Sequence, residues 1–482
     1  MLVYLLAGAC SFACGITSIA TAQQPVAPPL QPDSVVAAAA GQSLAGDWSG
    51  GIQLPGMELK IEVSFAGEAG AWTGKIDIPM QGAKGLPLQK ITVDGETLSF
   101  QIANIPGEPT FRGARDGADK ITGNFTQGGQ VFAFQLSRGA LAKAKRPQNP
   151  VPPLPYSEEK VSVANGNVTL AGTLTIPQGK GPFPAVILVS GSGPQNRDEE
   201  IFEHRPFAVW ADHLSRNGIA VVRYDDRGVG ESTGVHAVAT TTILGTDAES
   251  WVGFLKARPE VSTVGIMGHS EGGIIAPMVA ARNPDVAFIV MLAGTGVSGA
   301  EVLVEQNRSI AIASGATPET AEKIAAAARA VFEAIAKSAD MDTIRARMTE
   351  LVLAQTGKVA ADADVQQAAS QAMMGLEQPW FREFIRHDPA ADLRKVTVPV
   401  LAIFGERDVQ VVPVQNVPSV EAALQAAGNT RATIRVIPGV NHMFQPCTTG
   451  SVAEYEKIET TVDPAVLELV RDWMKAQIAK AG

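Results

Sequence analysis

The chain has 482 residues, of which 45% are hydrophobic and 18% are charged, so it can bury a large core and is not intrinsically disordered. Its formal net charge of −10, from 39 basic and 49 acidic residues, argues against a nucleic-acid-binding protein and against a basic membrane-surface protein. Three cysteines and six histidines argue against a disulfide scaffold, a multi-thiolate metal site and a zinc-dependent mechanism.

The first segment of the chain, residues 1–22, predicts a signal peptide that is cleaved after Ala22. Residues 1–20 carry no charge, and Ala20-Thr21-Ala22 fits the small-residue cleavage pattern of a secretory signal. The segment contains no Lys or Arg, so an uncleaved anchor helix, or a lipid anchor on Cys10 or Cys14, stays open as an alternative. We therefore expect a secreted or periplasmic protein, with membrane anchoring as the alternative. Residues 23–44, rich in Gln, Pro and Ala, predict a spacer.

Residues 45–139 predict a small all-β domain. Short runs of alternating polar and apolar residues recur along it, and Gly-containing turns separate several of them, as in small barrels and sandwiches. Eight strands in this length suit an up-and-down barrel, whose closure removes edge strands. The domain is either a ligand-binding module or a packed domain, and we favour the packed domain because no reactive-site spacing occurs in it. The predicted strands are Trp48–Leu54, Leu59–Phe65, Trp72–Ile78, Leu88–Val93, Thr97–Ile102, Thr110–Gly113, Ile121–Phe125 and Val131–Leu136.

Residues 140–158 are rich in proline and predict an extended linker, and residues 159–482 predict an α/β domain. An edge hairpin (Val161–Val163 with Val168–Ile176) is followed by alternating strands and helices, which indicates a parallel sheet wrapped by helices. Sites in such sheets lie at the carboxyl ends of the strands. The predicted strands are Ala185–Val189, Ile219–Arg223, Val264–Met267, Val286–Leu292, Val400–Phe404 and Ala432–Val436; the predicted helices are Pro206–Asn217, Thr242–Ala257, Glu271–Arg282, Ser419–Ala427 and Pro464–Ala481.

The pattern Gly-x-Ser-x-Gly occurs twice, around Ser232 and around Ser270. In serine hydrolases with this motif the serine stands on a tight turn between a strand and a helix. Ser270 follows the strand Val264–Met267 and precedes a helical pattern, whereas a polar loop precedes Ser232. We predict that Ser270 is the nucleophile and that Ser232 is an ordinary loop hydroxyl.

A serine nucleophile needs a histidine base, and the histidine needs an acid to orient it; on this kind of sheet they follow in the order Ser, acid, His. His442 lies in the loop after the last predicted strand, while His387 belongs to a helical region. Asp408 follows the strand Val400–Phe404, and Glu406, almost at the end of that strand, is its rival. We predict Asp408 as the acid and His442 as the base.

The oxyanion that forms during acyl transfer needs backbone N–H donors. One donor is expected from Glu271, the residue after the nucleophile. The other is expected from the Gly-rich stretch Ser190-Gly191-Ser192-Gly193-Pro194, which follows the strand Ala185–Val189. We predict that Ser192 supplies it, with a simple Gly-rich turn as the alternative.

These residues together resemble the α/β-hydrolase fold, and most closely the secreted bacterial carboxylesterases of its dienelactone-hydrolase-like or acyl-aminopeptidase-like branch. The resemblance covers about Val161 to Gly482 and implies a serine nucleophile with no metal or cofactor. In one departure, Ser190 stands where many relatives have a histidine before the oxyanion glycine. The stretches that carry the resemblance are Ser190–Asp198, Asp225–Gly230, Gly268–Gly273 and Asn441-His442.

Residues 299–392 are rich in alanine and helical in composition, and the resemblance implies a cap over the site. Their large apolar side chains either line an acyl pocket or pack the core of the cap, and for each one we favour packing. These side chains are Met341, Met348, Met373, Met374, Trp380, Phe381 and Phe384.

We therefore predict a serine carboxylesterase that acts on a small-molecule ester through an acyl-enzyme. A peptidase, amidase or thioesterase of the same fold stays open, because the fold does not determine the substrate. A binding protein that uses the barrel beside an idle hydrolase domain is the alternative from another class, and the intact Ser, Asp and His argue against it.

Overall fold

A computed structural model of the chain describes two compact units, one formed by residues up to 139 and one formed from residue 145 onward. The predicted signal peptide and nearly all of the predicted spacer lie outside the described residues. The described residues are 43–54, 57–68, 70–79, 83–105, 107–128, 130–139, 145–359, 363–376 and 378–481.

The first unit is a closed antiparallel barrel of eight strands, which confirms the predicted architecture. Each strand pairs with the next along the chain, and β1 also pairs with β8, which closes the barrel and leaves no edge strand. The strands are β1 (Gly46–Leu54), β2 (Met57–Ala66), β3 (Thr73–Ile78), β4 (Ala83–Asp94), β5 (Thr97–Ile102), β6 (Thr110–Asp116), β7 (Lys120–Gln127) and β8 (Gln130–Arg138).

The barrel interior is filled by apolar side chains at alternating positions of the strands. Phe111 contacts three other rings, with its ring centroid 4.6 Å from that of Phe100, 4.7 Å from that of Phe125 and 5.1 Å from that of Phe134. All four are buried, together with Trp48. Because packed rings occupy the interior, the barrel is better described as a packed domain than as a ligand-binding cavity.

The second unit is built on an eight-stranded sheet with the order β16-β15-β14-β13-β11-β12-β10-β9. Strands β9 and β10 form the predicted antiparallel edge hairpin, and β11 to β16 are parallel to one another. The chain adds β12 on one side of β11 and then returns to place β13 on its other side, so the loops after β11 and β13 emerge next to each other. The strands are β9 (Tyr156–Asn165), β10 (Val168–Pro177), β11 (Phe183–Val189), β12 (Ala220–Tyr224), β13 (Val261–His269), β14 (Val286–Leu292), β15 (Val400–Gly405) and β16 (Ala432–Ile437).

Helices connect these strands, as the alternating pattern predicted. The helix after β15 begins at Pro413 rather than at Ser419, because Pro418 lies inside it and broke the sequence pattern. The helices are α1 (Pro206–Arg216), α2 (Thr241–Lys256), α3 (Gly272–Ala280), α4 (Gly299–Ala313), α5 (Pro318–Ala336), α6 (Met341–Thr356), α7 (Ala363–Leu376), α8 (Pro379–Arg386), α9 (Pro389–Leu393), α10 (Pro413–Ala426), α11 (Val452–Tyr455) and α12 (Pro464–Ala481). Among the described residues, none of the helices combines the length and the apolar character needed to cross a membrane.

The described part of the predicted linker is hydrogen-bonded to the second unit. The Arg146 guanidinium donates to the carbonyl oxygens of Phe202 and Glu456, at 2.7 and 2.9 Å. The Gln148 side chain donates to the Val462 carbonyl at 2.7 Å, and β9 already begins at Tyr156. The described part of this segment therefore belongs to the second unit.

The helices α4 to α8, inserted between β14 and β15, share an apolar core, whereas α9 packs on the core of the sheet. Met348, Met373, Phe381 and Phe384 are buried in this core, as the packing interpretation predicted, while Met341 and Trp380 are partly buried against it. Met374 is 40% exposed. The same core includes apolar residues of α3, so these inserted helices pack on the helix that follows Ser270.

A buried histidine of the second unit makes its stability depend on pH. His204 lies 2.8 Å from the Thr461 hydroxyl and 3.1 Å from the Tyr455 carbonyl. Burial, with a smaller contribution from Arg146, lowers the pKa of His204 from 6.5 to about 4. Between these two pKa values the His204 imidazole binds a proton in the unfolded chain but not in the folded chain. The free energy of unfolding therefore falls as the pH drops from 6.5 toward 4.

We expect His204→Gln to reduce this acid sensitivity. Between pH 7.5 and pH 4.5, the free energy of unfolding should fall by about 2 kcal/mol less in the variant than in the wild type. Urea unfolding at the two pH values measures this difference. An equal loss of stability in both proteins would contradict the role given to His204.

Candidate active site

Ser270 stands on the turn between β13 and α3. Its φ is +53°, a left-handed conformation that is strained for a residue other than glycine, and its N–H donates to the Leu292 carbonyl at 2.8 Å. The glycines two residues away on each side let this turn close. A Cβ on Gly268 would lie 1.8 Å from the Gly272 carbonyl oxygen, and one on Gly272 would lie 2.1 Å from that of Val189. The predicted strand–turn–helix context of Ser270 is therefore present.

We expect Gly268→Ala to destabilise the second unit by at least about 3 kcal/mol, because the added methyl collides with backbone that cannot move aside. Gly253→Ala is the matched control, since Gly253 lies in α2 and a Cβ there meets nothing within 4 Å. It should stabilise the protein by about 0.5–1 kcal/mol through its helix propensity. Urea unfolding compares the two variants, and equal effects would contradict the tight packing of the turn.

His442 and Asp408 are brought together by the loops after β16 and β15. The His442 Nδ1 lies 2.8 Å from the Asp408 Oδ2, and both side chains are buried. The other carboxylate oxygen accepts the N–H groups of Gln410 and Val411, at 2.7 and 2.9 Å. The Asp408 carboxylate is thus held in place, and Nε2 is the ring nitrogen of His442 left for proton transfer.

The alternatives to Asp408 and His442, which are Glu406 and His387, contact other residues. Glu406 is exposed, and its Oε2 accepts the Gly439 N–H at 2.9 Å, so it holds the loop that leads to His442. The His387 Nε2 lies 3.2 Å from the Asp392 carboxylate at the end of the inserted helices. Neither residue takes the place of Asp408 or His442.

Ser232 has both hydrogen-bonding functions of its hydroxyl occupied. It donates to the Asp225 carbonyl at 2.7 Å and accepts the Ala171 N–H at 2.9 Å. The residue is buried and ties its loop to β10. This matches the prediction of an ordinary loop hydroxyl.

The Gly-rich loop after β11 passes close to Ser270. A Cβ on Gly191 would lie 3.2 Å from the Ser270 Cβ. The Gly191 N–H is already bonded to the Glu199 Oε1 at 2.7 Å. Among the residues that the structure describes, the N–H groups of Ser192 and Glu271 donate to no protein acceptor. These are the two amides that the sequence predicts as oxyanion donors.

Ser190, which departs from the family pattern, has a structural partner. Its hydroxyl donates to Asp226 at 3.1 Å, and the other oxygen of Asp226 accepts the Gln195 N–H at 2.9 Å. Burial raises the pKa of Asp226 well above its ordinary value. Asp226 thus holds both ends of the Gly-rich loop.

The side chain of Glu271 was not singled out from the sequence. It is buried, and its Oε1 accepts the Thr241 hydroxyl at 2.6 Å and the Trp380 Nε1–H at 2.7 Å. Burial raises the pKa of this carboxyl group. Since Trp380 belongs to α8, this contact links the inserted helices to the residue after Ser270.

His269 and Glu199 were not predicted as site residues from the sequence either. The His269 Nδ1 lies 2.9 Å from the Glu199 Oε1, and its Nε2 lies 3.1 Å from the His442 carbonyl oxygen. The rings of His269 and His442 are 4.7 Å apart. The residue next to Ser270 therefore contacts the loop that carries His442, which brings the serine and histidine loops together.

The charged residues near this region pair with one another. Arg197 lies 2.6 Å from Asp225, and Arg227 lies 2.6 Å from Asp247. Asp198 pairs with Arg205 and Arg223. These charged side chains therefore hold loops of the second unit together.

A serine on a strand–turn–helix elbow, an acid after β15 and a histidine after β16 of a mostly parallel sheet define an α/β-hydrolase. The family model described as serine aminopeptidase, S33 (Hydrolase_4) matches residues 205–445, half of the chain, and the chain belongs to this family.

Known proteins similar to the chain include esterases. Esterase EstD of Thermotoga maritima is 29% identical over 321 residues, covering 66% of this chain and 67% of that protein. The solved structure of Est1E from Butyrivibrio proteoclasticus with bound ferulic acid is 17% identical with a TM-score of 0.38, covering 66% of this chain and 99% of that one. A dienelactone hydrolase from Anabaena variabilis is 17% identical with a TM-score of 0.36, covering 67% and 98%.

Proposed function

We propose that the protein is a serine carboxylesterase in which Ser270, His442 and Asp408 form the catalytic triad. The observation that carries the proposal is the buried hydrogen bond of 2.8 Å between Asp408 and His442, on the same sheet edge as the strained Ser270 turn. A carboxylate on Nδ1 selects the tautomer in which Nε2 accepts a proton. The similarity to EstD supports an ester substrate.

In this mechanism the Ser270 Oγ attacks the acyl carbonyl carbon while the His442 Nε2 takes the hydroxyl proton. Asp408 stabilises the imidazolium that forms. The N–H groups of Glu271 and Ser192 bind the oxyanion. His442 then protonates the departing alcohol, and water, activated by the same nitrogen, hydrolyses the acyl-enzyme.

Hydrolysis of p-nitrophenyl esters from acetyl to palmitoyl, measured beside a Ser270→Ala control, tests the proposal. We expect turnover in the wild type alone, with a chain-length optimum that reports the size of the acyl pocket. An absence of ester turnover in the wild type would overturn the proposal.

A peptidase or amidase is the second candidate, favoured by the description of the matching family. Aminoacyl p-nitroanilides compared with p-nitrophenyl esters of the same acyl groups separate the two candidates. We expect a higher kcat/KM on the esters, and preferred cleavage of anilides would replace the esterase with an aminopeptidase.

Export to the periplasm or medium belongs to the same proposal. It is supported by the uncharged residues 1–20 and by Ala20-Thr21-Ala22. N-terminal sequencing of the exported protein should begin at Gln23. A retained Met1 in the cytoplasmic fraction would contradict export.

A further inference from the structure

We propose that Glu199 and His269 form a buried ion pair that positions the oxyanion loop and the His442 loop on either side of Ser270. The inference rests on the proposed function of Ser270 and His442 and adds two positioning residues to it. Neither side chain needs to touch the substrate, because each acts through groups that do.

The Glu199 carboxylate joins two segments of the site. Its Oε1 accepts the Gly191 N–H at 2.7 Å and faces the His269 Nδ1 at 2.9 Å. The residue is 5% exposed, and its backbone is held at a φ of +50°. A buried carboxylate with two donors fixes both of them more firmly than a neutral acceptor would.

His269 extends this connection to the catalytic loop. Its Nδ1 faces a carboxylate and its Nε2 faces the His442 carbonyl oxygen at 3.1 Å, so both ring nitrogens face acceptors. A neutral imidazole has a single N–H and satisfies only one of them, whereas the imidazolium satisfies both. Burial by itself lowers the pKa of His269, but the Glu199 carboxylate and its hydrogen bond raise it above its ordinary value.

The sheet alone does not hold the His442 loop beside Ser270. Strands β11 and β13 are neighbours, but β14 and β15 separate β13 from β16, so the loop that carries His442 has to reach back across two strands. His269 contacts this loop where it has reached back, and the Glu199–His269 pair thereby connects the loops after β11, β13 and β16 in one chain of hydrogen bonds. It also occupies the Gly191 N–H, so this amide of the loop is not available to an oxyanion.

Glu199→Gln tests the proposal because it keeps the size of the side chain and an oxygen for Gly191 but removes the charge that keeps His269 doubly protonated. We expect kcat on a p-nitrophenyl ester to fall on the order of 10- to 100-fold, with KM within about threefold, because geometry at the transition state is lost rather than ground-state binding. The affinity for a trifluoromethyl ketone, which forms a tetrahedral adduct, should fall by the same factor as kcat/KM.

His269→Gln is the second variant, and it should lose kcat to a similar extent. The double variant Glu199→Gln/His269→Gln should be no slower than the slower single variant, since both act through one connection. Independent, multiplying effects in the double variant would overturn the proposal.

Asp247→Asn is the matched control, because it also removes a buried carboxylate from an ion pair, that with Arg227. It should lower the melting temperature as Glu199→Gln does and leave kcat unchanged. Unchanged kcat in a folded Glu199→Gln variant, or an equal loss of kcat in the control, would overturn the proposal. Failure of both Glu199→Gln and His269→Gln to fold would do the same and assign the pair to the fold. A wild type without Ser270-dependent turnover would instead overturn the proposed function.

Discussion

Replacing Ser270 by alanine should lower kcat for ester hydrolysis by at least about 10⁴-fold, because the acyl-enzyme cannot form without the hydroxyl. The free energy of unfolding should change by less than about 1 kcal/mol, since alanine keeps the Cβ and meets the same left-handed φ of +53°. Steady-state kinetics and urea unfolding of the same preparation measure both effects.

Ser232→Ala is the matched control, because Ser232 lies in the other Gly-x-Ser-x-Gly pattern. Its turnover should stay within about twofold of the wild type, whereas its stability should fall by about 1–2 kcal/mol as both hydrogen bonds of the hydroxyl are lost. Full activity in Ser270→Ala, or inactivity in a folded Ser232→Ala, would exchange the two assignments.

Replacing Asp408 by asparagine should lower kcat on the order of 10⁴-fold. The amide can present an N–H to the His442 Nδ1, which selects the tautomer whose Nε2 carries the proton and cannot act as a base. The side chain keeps its size, and its remaining oxygen can accept the N–H groups of Gln410 and Val411, so the fold should survive.

Glu406→Gln is the control for the acid. Glu406 accepts the Gly439 N–H through a single exposed oxygen, which glutamine reproduces, so kcat should stay within about threefold. Kinetics of the two variants on one ester decide between the two acids. A larger loss in Glu406→Gln than in Asp408→Asn would make Glu406 the partner of His442.

Periodicity was sufficient to predict the architecture of both units. Inward-facing residues such as Phe100 and Phe111 recur at every second position of the barrel strands, and the buried parallel strands are continuous apolar runs. Proline was an ambiguous signal for the boundaries of helices and linkers. Pro418 lies inside α10, and Gln148 anchors to the second unit a Pro-rich segment that the sequence predicts as an extended linker.

Some residues of the candidate site could be predicted from the sequence and others could not. Ser270 was recognisable because its strand, turn and helix are contiguous in sequence, and chain order favoured Asp408 over Glu406. The Glu199–His269 and Glu271–Trp380 contacts join residues 70 and 109 positions apart. His269 and Glu271 occupy the variable positions of the Gly-x-Ser-x-Gly pattern, but no motif marks their partners Glu199 and Trp380. Their signal is burial of a charged side chain, which only the fold reveals.

Covalent labelling with a fluorophosphonate tests the central claim most directly, because the probe reacts with a serine only when that serine is activated as a nucleophile. Intact-protein mass spectrometry should show one adduct per chain, peptide mapping should place it on Ser270, and the loss of ester turnover should follow the extent of labelling. An adduct on Ser232 or on another residue, or unlabelled protein that still hydrolyses esters, would contradict the assignment of Ser270 as the nucleophile.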